Sequence, residues 1–247
     1  QNILHLDWEH NFEKFYTVTA KQFEKLESDI ISENGRVSAI STVMQWINDS
    51  KKIPISKYLG PIRENVSRIA KLYGKNIEFI IEGEQLPIYF ENMEVIMMNI
   101  IHLIRNAIIH GIEEDRTAIG KREMGRITLS FAIKDENVQI RVSDDGRGVN
   151  IERVSEMAIE KGLLTREEYA AMSESEKTGI IFLKGASIRN DTDGFAGRGL
   201  GLSAVRDAVI DIGGDIAVKW TFRHGTTFTI TIPLVNTAKI IVNKIGA

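Results

Sequence analysis

Residues 91–110 read ENMEVIMMNIIHLIRNAIIH, and the rest of the fold is read outward from this stretch. Val95, Ile96, Met97, Met98, Ile100, Ile101, Leu103, Ile104, Ala107, Ile108 and Ile109 surround it nearly completely. A helix apolar on almost every side has to be covered on most of them, so the stretch predicts a helix inside a layered domain. Asn99, His102, Asn106 and His110 interrupt the apolar run at spacings of three, four and four, which places them on one stripe. A solvent face would also make such a stripe, but solvent faces usually carry Lys and Glu. Side chains that both donate and accept hydrogen bonds favour a polar cavity.

Downstream of the helix, residues 126–134 and 137–143 read as strands joined by Asp135-Glu136, a connection of hairpin length. Residues 215–222 and 226–233 make a second hairpin over Arg223-His224-Gly225, and the stretch 150–212 between the hairpins is largely helical and punctuated by glycine. Upstream, residues 76–82 (NIEFIIE) read as a strand, and a helix over 56–73 is expected to stop at Gly74, where a left-handed cap costs little. Residues 11–32 carry Phe12, Phe15, Phe23, Leu26 and Ile30 near helical spacing. Asn34-Gly35 then breaks the pattern before a second helical stretch over 36–48, giving a helical hairpin. Strands and helices segregate rather than alternate. The pattern predicts an α+β fold, a two-layer α/β sandwich with one mostly antiparallel sheet covered by helices on one face, preceded by an N-terminal helical hairpin.

Composition narrows the function. The 247 residues carry 31 Lys and Arg against 34 Asp and Glu, a formal charge of −3, so no phosphate-tracking excess of cations points to nucleic acid. At 43% hydrophobic residues and this length, folding buries roughly 70–75% of the unfolded surface without metal or disulfide staples. Cysteine is absent, which excludes disulfides, thiolate metal sites and cysteine nucleophiles. No run reaches the ~20 apolar residues of a membrane span, and no basic and apolar leader opens the chain, so no direct membrane insertion and a cytoplasmic location are expected. The sequence starts at Gln1 rather than Met, as a fragment would.

Two more clusters carry chemistry. Asp144-Asp145-Gly146-Arg147-Gly148 directly follows a strand: the glycines let a backbone approach a ligand closely, and a carboxylate accepts from an exocyclic amine such as that of adenine. Alone, the same residues also make an ordinary turn. Gly197-Arg198-Gly199-Leu200-Gly201-Leu202 opens a helix whose N-terminal N–H groups and dipole suit phosphate, though simple loop flexibility accounts for the glycines equally well. Leu202 falls where the dinucleotide pattern G-x-G-x-x-G needs its last glycine. No G-x-x-x-x-G-K-[ST], kinase H-R-D, H-E-x-x-H or G-x-S-x-G occurs either.

In order, residues 102–113 (HLIRNAIIHGIE), 144–148 (DDGRG) and 197–201 (GRGLG) closely resemble the N box and the two glycine boxes of the CheA-type histidine kinases. Ile53-Pro54-Ile55-Ser56, Gly120-Lys121, residues 158–163 (AIEKGL), Gly225-Thr226 and Ile232-Pro233-Leu234 are similar to that family as well, so the resemblance covers about 53–234. It implies a Bergerat-type (GHKL) ATP-binding fold over 53–235, a possible dimerisation segment in the hairpin 1–52, and a C-terminal tail 236–247. It further implies that Asp144 accepts the adenine amino group, with Gly146, Gly148 and Thr226 shaping that end of the pocket. Asn106 would hold Mg²⁺ and through it the phosphates, Gly199, Leu200 and Gly201 would face the phosphate tail, and His110 completes the nucleotide-binding set.

His102, four residues before Asn106, sets the expected reaction class. Gyrase-like ATPases carry there a Glu that activates water, whereas a His matches the CheA-type kinases, which transfer the γ-phosphate of ATP to a His. Phosphoryl transfer needs positioning and charge neutralisation, and an activated water would waste the phosphoryl group. His102 could orient the γ-phosphate or relay a proton from the incoming imidazole. The sequence departs from the family in the lid, where residues 182–189 (FLKGASIR) replace the usual Pro-Gly-Phe-Ser-Thr run; Lys184, Arg189 or Arg198 could still reach phosphates, though a solvated charge accounts for them at least as well. Ile109 also stands where the family commonly has Asp, and Glu156 and Met157 where it often has basic residues. No His-x-x-Lys-Gly phosphoacceptor context occurs; His10 and His5 are the remaining N-terminal candidates. The resemblance therefore implies a phosphoacceptor His domain and a downstream response regulator outside this chain, with a possible homodimer. Its alternatives are a nucleotide-binding regulatory module without transfer activity and a gyrase-like ATPase.

Overall fold

A computed structural model describes residues 19–32, 42–43, 46–47, 49–88, 93–185 and 201–234. The chain splits into two compact units, Gln1–Ile55 with Gln85–Glu91 and Leu234–Ala247 in one, and Ser56–Glu84 with Asn92–Pro233 in the other. Helix α1 (Ala20–Ser32) belongs to the first. Its start is fixed chemically: the Gln22 side chain accepts from the Thr19 N–H at 2.8 Å, while the Thr19 hydroxyl accepts from the Gln22 N–H at 3.3 Å. This is the reciprocal pattern of a capping box. Trp46 lies edge-on to Phe23 with ring centroids 5.4 Å apart, and its indole N–H donates to the Gln22 carbonyl at 3.0 Å. Strands β1 (Ile53–Pro54) and β3 (Pro87–Ile88) pair antiparallel in the same unit. The expected helix over 11–18, the break at Asn34-Gly35, most of 36–48 and the tail lie outside the described residues.

The second unit is built on five strands: β2 (Ile77–Glu82), β4 (Gly125–Lys134), β5 (Asn137–Asp144), β6 (Asp215–Thr221) and β7 (Gly225–Pro233). They lie in the order β2-β4-β5-β7-β6, parallel between β2 and β4 and antiparallel elsewhere. Alternation along each strand separates the two faces. Leu129, Val142, Phe228 and Val218 stand in register across four strands, and Phe131, Ile140, Ile230 and Ile216 form the next buried row. Arg141 on the opposite face is exposed, and Gln139 and Thr229 there are half-buried. One face is therefore core and the other wet, as an antiparallel sheet permits.

Helix α2 (Gly60–Leu72) ends where the sequence predicts, with Gly74 left-handed at φ +62°. Helix α3 (Met93–Asn106) packs against α2, against the central strand β5 and against helix α7 (Leu202–Asp211), which in turn lies on β6. Neighbours on three sides explain why so much of α3 is apolar. Helices α4 (Ile151–Glu160), α5 (Arg166–Ala171) and α6 (Glu174–Gly179) fill the connection from β5 toward α7, the last two opened by capping boxes at Thr165 and Ser173. The α-helix expected to reach His110 stops at Asn106, and Ala107–Gly111 forms one π-turn that closes with the Ile112 N–H on the Ala107 carbonyl at 2.8 Å.

Candidate functional site

Along β5, Val138, Ile140 and Val142 point into the core, and the period of two carries Asp144 to the next inward position. A carboxylate thus sits where the pattern asks for an aliphatic side chain, and it is 9% exposed. Its Oδ1 accepts the Gly146 N–H at 2.9 Å, and the Thr226 N–H, opposite it on β7, also donates to the carboxylate. Burial dominates and pushes the Asp144 carboxyl up to about 6, against the two N–H bonds that favour the ionised form; the nearby charges of Asp145 and Glu113 push the same way as burial.

The chain around this carboxylate has room only for glycine. A Cβ on Gly146 would lie 2.2 Å from the Gly111 carbonyl oxygen, and one on Gly225, at φ +116°, would lie 1.9 Å from the Asp144 carbonyl oxygen. Gly111 brings the end of the α3 segment to the site: a Cβ there would meet Asp144 Oδ1 at 3.1 Å, and its carbonyl accepts the Arg147 N–H at 2.9 Å. Gly148 is left-handed, with Thr221 and Gly225 backbone against it. The structure therefore brings Asp144, Gly146, Gly148 and Thr226 together and adds Gly111 and Gly225.

On α3, His102 and Asn106 are half-buried, one turn apart, and His110 in the π-turn is exposed. Asn99, the first member of the polar stripe, does something else: it is buried and its amide donates to the Val95 carbonyl one turn back at 2.8 Å. The π-turn is closed from outside by Lys75, whose Nζ donates to the carbonyls of Ile108 (2.8 Å), Ile109 (3.0 Å) and Ile112 (2.6 Å). These are carbonyls that a helix end otherwise leaves without an internal partner. Desolvation, with help from the Arg147 charge, holds the Lys75 ammonium below its ordinary range.

Residues 96–236 match the family model of histidine kinase-, DNA gyrase B- and HSP90-like ATPases, a span that includes most of α3, the Asp144 turn and β7. The chain belongs to this ATPase family. It is similar to the chemotaxis protein CheA of Halobacterium salinarum, 34% identical over 85% of this chain and 32% of that protein. It is also similar to CheA of Listeria monocytogenes, 34% identical over 83% of this chain and 34% of that protein. The chain thus spans about a third of the length of these relatives. The histidine kinase domain of the Erythrobacter litoralis EL346 blue-light activated histidine kinase aligns over 90% of this chain and all of its own length, at 16% identity and TM-score 0.44.

In this ATPase domain, Gly201 forms the N-cap of α7 with its carbonyl accepting from the N–H groups of Ala204 and Val205. Gly199, Leu200, Arg189 and Arg198 lie outside the described residues, as do His5 and His10. Lys184 is exposed. Several residues that hold the site carry no role in the sequence pattern. Gly111 and Gly225 stand within the family-like segments without a function of their own there. Arg116 and Lys121 are cations in a loop, where solvation is the ordinary reading. Nothing local marks Lys75, because its partners lie more than 30 positions along the chain.

Proposed function

We propose that this chain is the ATP-binding catalytic domain of a CheA-like protein-histidine kinase in a two-component or chemotaxis-like signalling system. It moves the γ-phosphoryl group of Mg-ATP to a His on a separate domain or partner, from which a response regulator takes it. The observation that carries this reading is Asp144. A buried carboxylate, oriented by two backbone N–H groups beside Gly111, is a made-to-measure acceptor for the amino group of adenine, and the ATPase family supplies the context. Gly146, Gly148 and Thr226 shape the base end, and His110 belongs to the nucleotide-binding set. Gly201, the N-cap of α7, and Gly199 and Leu200 before it in the sequence would face the phosphates.

Asn106 is the residue that would hold Mg²⁺. Among the described residues no group of three or more His, Cys, Asp or Glu could hold a metal ion. A single amide fits a cation that arrives with the substrate phosphates rather than one caged by protein. When bound, it neutralises charge on the phosphate tail. His102, one turn before Asn106, orients the terminal phosphate or takes the proton of the incoming imidazole; a His at this position rather than a water-activating Glu favours transfer over hydrolysis. A homodimer through the N-terminal helical segment and a cytoplasmic location complete the proposal. No described helix is long and apolar enough to cross a membrane.

The test is incubation with γ-labelled ATP, alone and with acceptor His domains of CheA-like proteins. Label is expected on an acceptor, with little phosphate released in its absence. His102→Gln is expected to cut transfer by roughly 10²–10⁴-fold while ATP affinity holds. Steady phosphate release without an acceptor would make the chain a hydrolase, and tight ATP binding with no transfer to any acceptor would make it a regulatory module.

A further inference from the structure

The Asp144 turn is gripped from the side away from the carboxylate. Arg116 is 3% exposed, and its guanidinium pairs with Glu113 at 2.6 Å and with the Asp145 carboxylate at 2.8 Å, while its Nε donates to the Arg122 carbonyl at 2.9 Å. Lys121 donates to Glu113 at 2.7 Å, to the Asp145 carbonyl at 2.8 Å and to the Gly146 carbonyl at 2.7 Å. Burial works against the ionised form of Glu113, but Lys121, a backbone hydrogen bond and Arg116 together outweigh it and hold its carboxyl below the ordinary range, so both cations keep a charged partner. The second Asp145 oxygen accepts the Arg126 N–H at 2.9 Å, which ties the turn to β4 as well.

One peptide group stands between these cations and the candidate base-binding carboxylate. The carbonyl oxygen of Asp145 accepts from the Lys121 ammonium, and the N–H of that same peptide, on Gly146, donates to Asp144 Oδ1. A cation on the oxygen of an amide polarises it and strengthens donation from its N–H. We propose that Lys121, held by Glu113 and backed by Arg116, is a positioning residue for base recognition: through the 145–146 peptide it fixes the Asp144 carboxylate in the orientation that takes an exocyclic amine. The inference rests on the nucleotide reading above and deepens it. It assigns preference for a 6-aminopurine to a residue that itself stays outside the pocket.

Two ligands separate this role from plain stability. ATP carries the exocyclic amine; purine riboside 5′-triphosphate keeps the ring and the phosphates but lacks the amine. Calorimetric titration of the wild-type chain is expected to favour ATP. In Lys121→Met, ATP affinity should fall by about tenfold, the scale of one charge-assisted hydrogen bond. Affinity for the amine-free nucleotide should change by less than about threefold on the same scale. Glu113→Gln, which keeps the side-chain shape and removes the anion that both cations share, should narrow the preference in the same way and serves if Lys121→Met does not fold. Equal losses for both nucleotides, or an undiminished preference in both variants, overturns the positioning role while the nucleotide site stands. A wild-type chain that does not distinguish the two nucleotides overturns the base reading of Asp144 and this inference with it.

Discussion

Asp144 holds a charge that its surroundings make expensive. With its carboxyl raised to about 6 from an ordinary 3.8, the folded chain binds a proton more readily than the unfolded chain between those values. Stability therefore falls as pH rises through that window, and above it the ionised carboxylate costs on the order of 3 kcal/mol. Asp144→Asn is expected to raise the melting temperature by several degrees at about pH 7.5, with the gain shrinking toward about pH 4.5, as thermal melts across that range would reveal. The same substitution should weaken ATP binding, and wild-type affinity should drop as pH falls through about 6 in a step that the variant lacks. Site residues of this kind were half legible. The Asp-Gly pattern at 144–148 announces a carboxylate on a turn, but that it is buried follows only from the β5 alternation continuing to its last residue. Gly225 is required by contact with Asp144, some 80 positions away, and a sequence carries no local sign of such an encounter.

Among the elements, α3 was the most legible, because a run apolar on nearly every side folds stably only as a helix covered by neighbours. Its end was not. The sequence continues with isoleucines in helical register to Ile109, yet the backbone widens into a π-turn at 107–111. Tertiary partners decide the turn: Arg147 takes the Gly111 carbonyl, and Lys75 collects three others. Lys75→Met would leave those partly buried carbonyls without the ammonium, at a cost of about 1–3 kcal/mol. The expected signature is a lowered melting temperature together with faster amide hydrogen exchange confined to residues around 107–112. Unchanged exchange there would mean that the π-turn stands without its lysine. At Asn99 the limit is of a related kind. Helical spacing correctly placed it on the stripe of His102 and Asn106, but spacing cannot tell a side chain aimed at a cavity from one folded back on its own helix.

For the molecule as a whole, two compact units share one chain that spans about a third of its CheA relatives. On α1, Phe23 is exposed and Leu26 and Ile30 are half-buried, at spacings of three and four. An apolar stripe left partly uncovered is suited to a second copy of itself. Leu26→Asp is expected to shift sedimentation from dimer to monomer while ATP affinity stays the same. A wild-type monomer at high concentration would refute the dimer. The segregation of strands from helices was enough to read the sandwich. Strand order was not readable, since nothing in 76–82 says that it pairs parallel with β4.

That order has a consequence for how the protein is made. Asp144 stands opposite Thr226, so the proposed base end of the pocket exists only once β7 has been synthesised and has returned across a connection of some 80 residues to pair with β5. Closing so long a loop is slow compared with forming the β4–β5 hairpin, whose two strands are joined by two residues. A nascent chain that already carries α3, the turn at 144–148 and every cation around it still lacks the strand that completes the site. On the proposed nucleotide reading, ATP would bind only the finished sheet and would stabilise the last long-range pairing rather than guide the first.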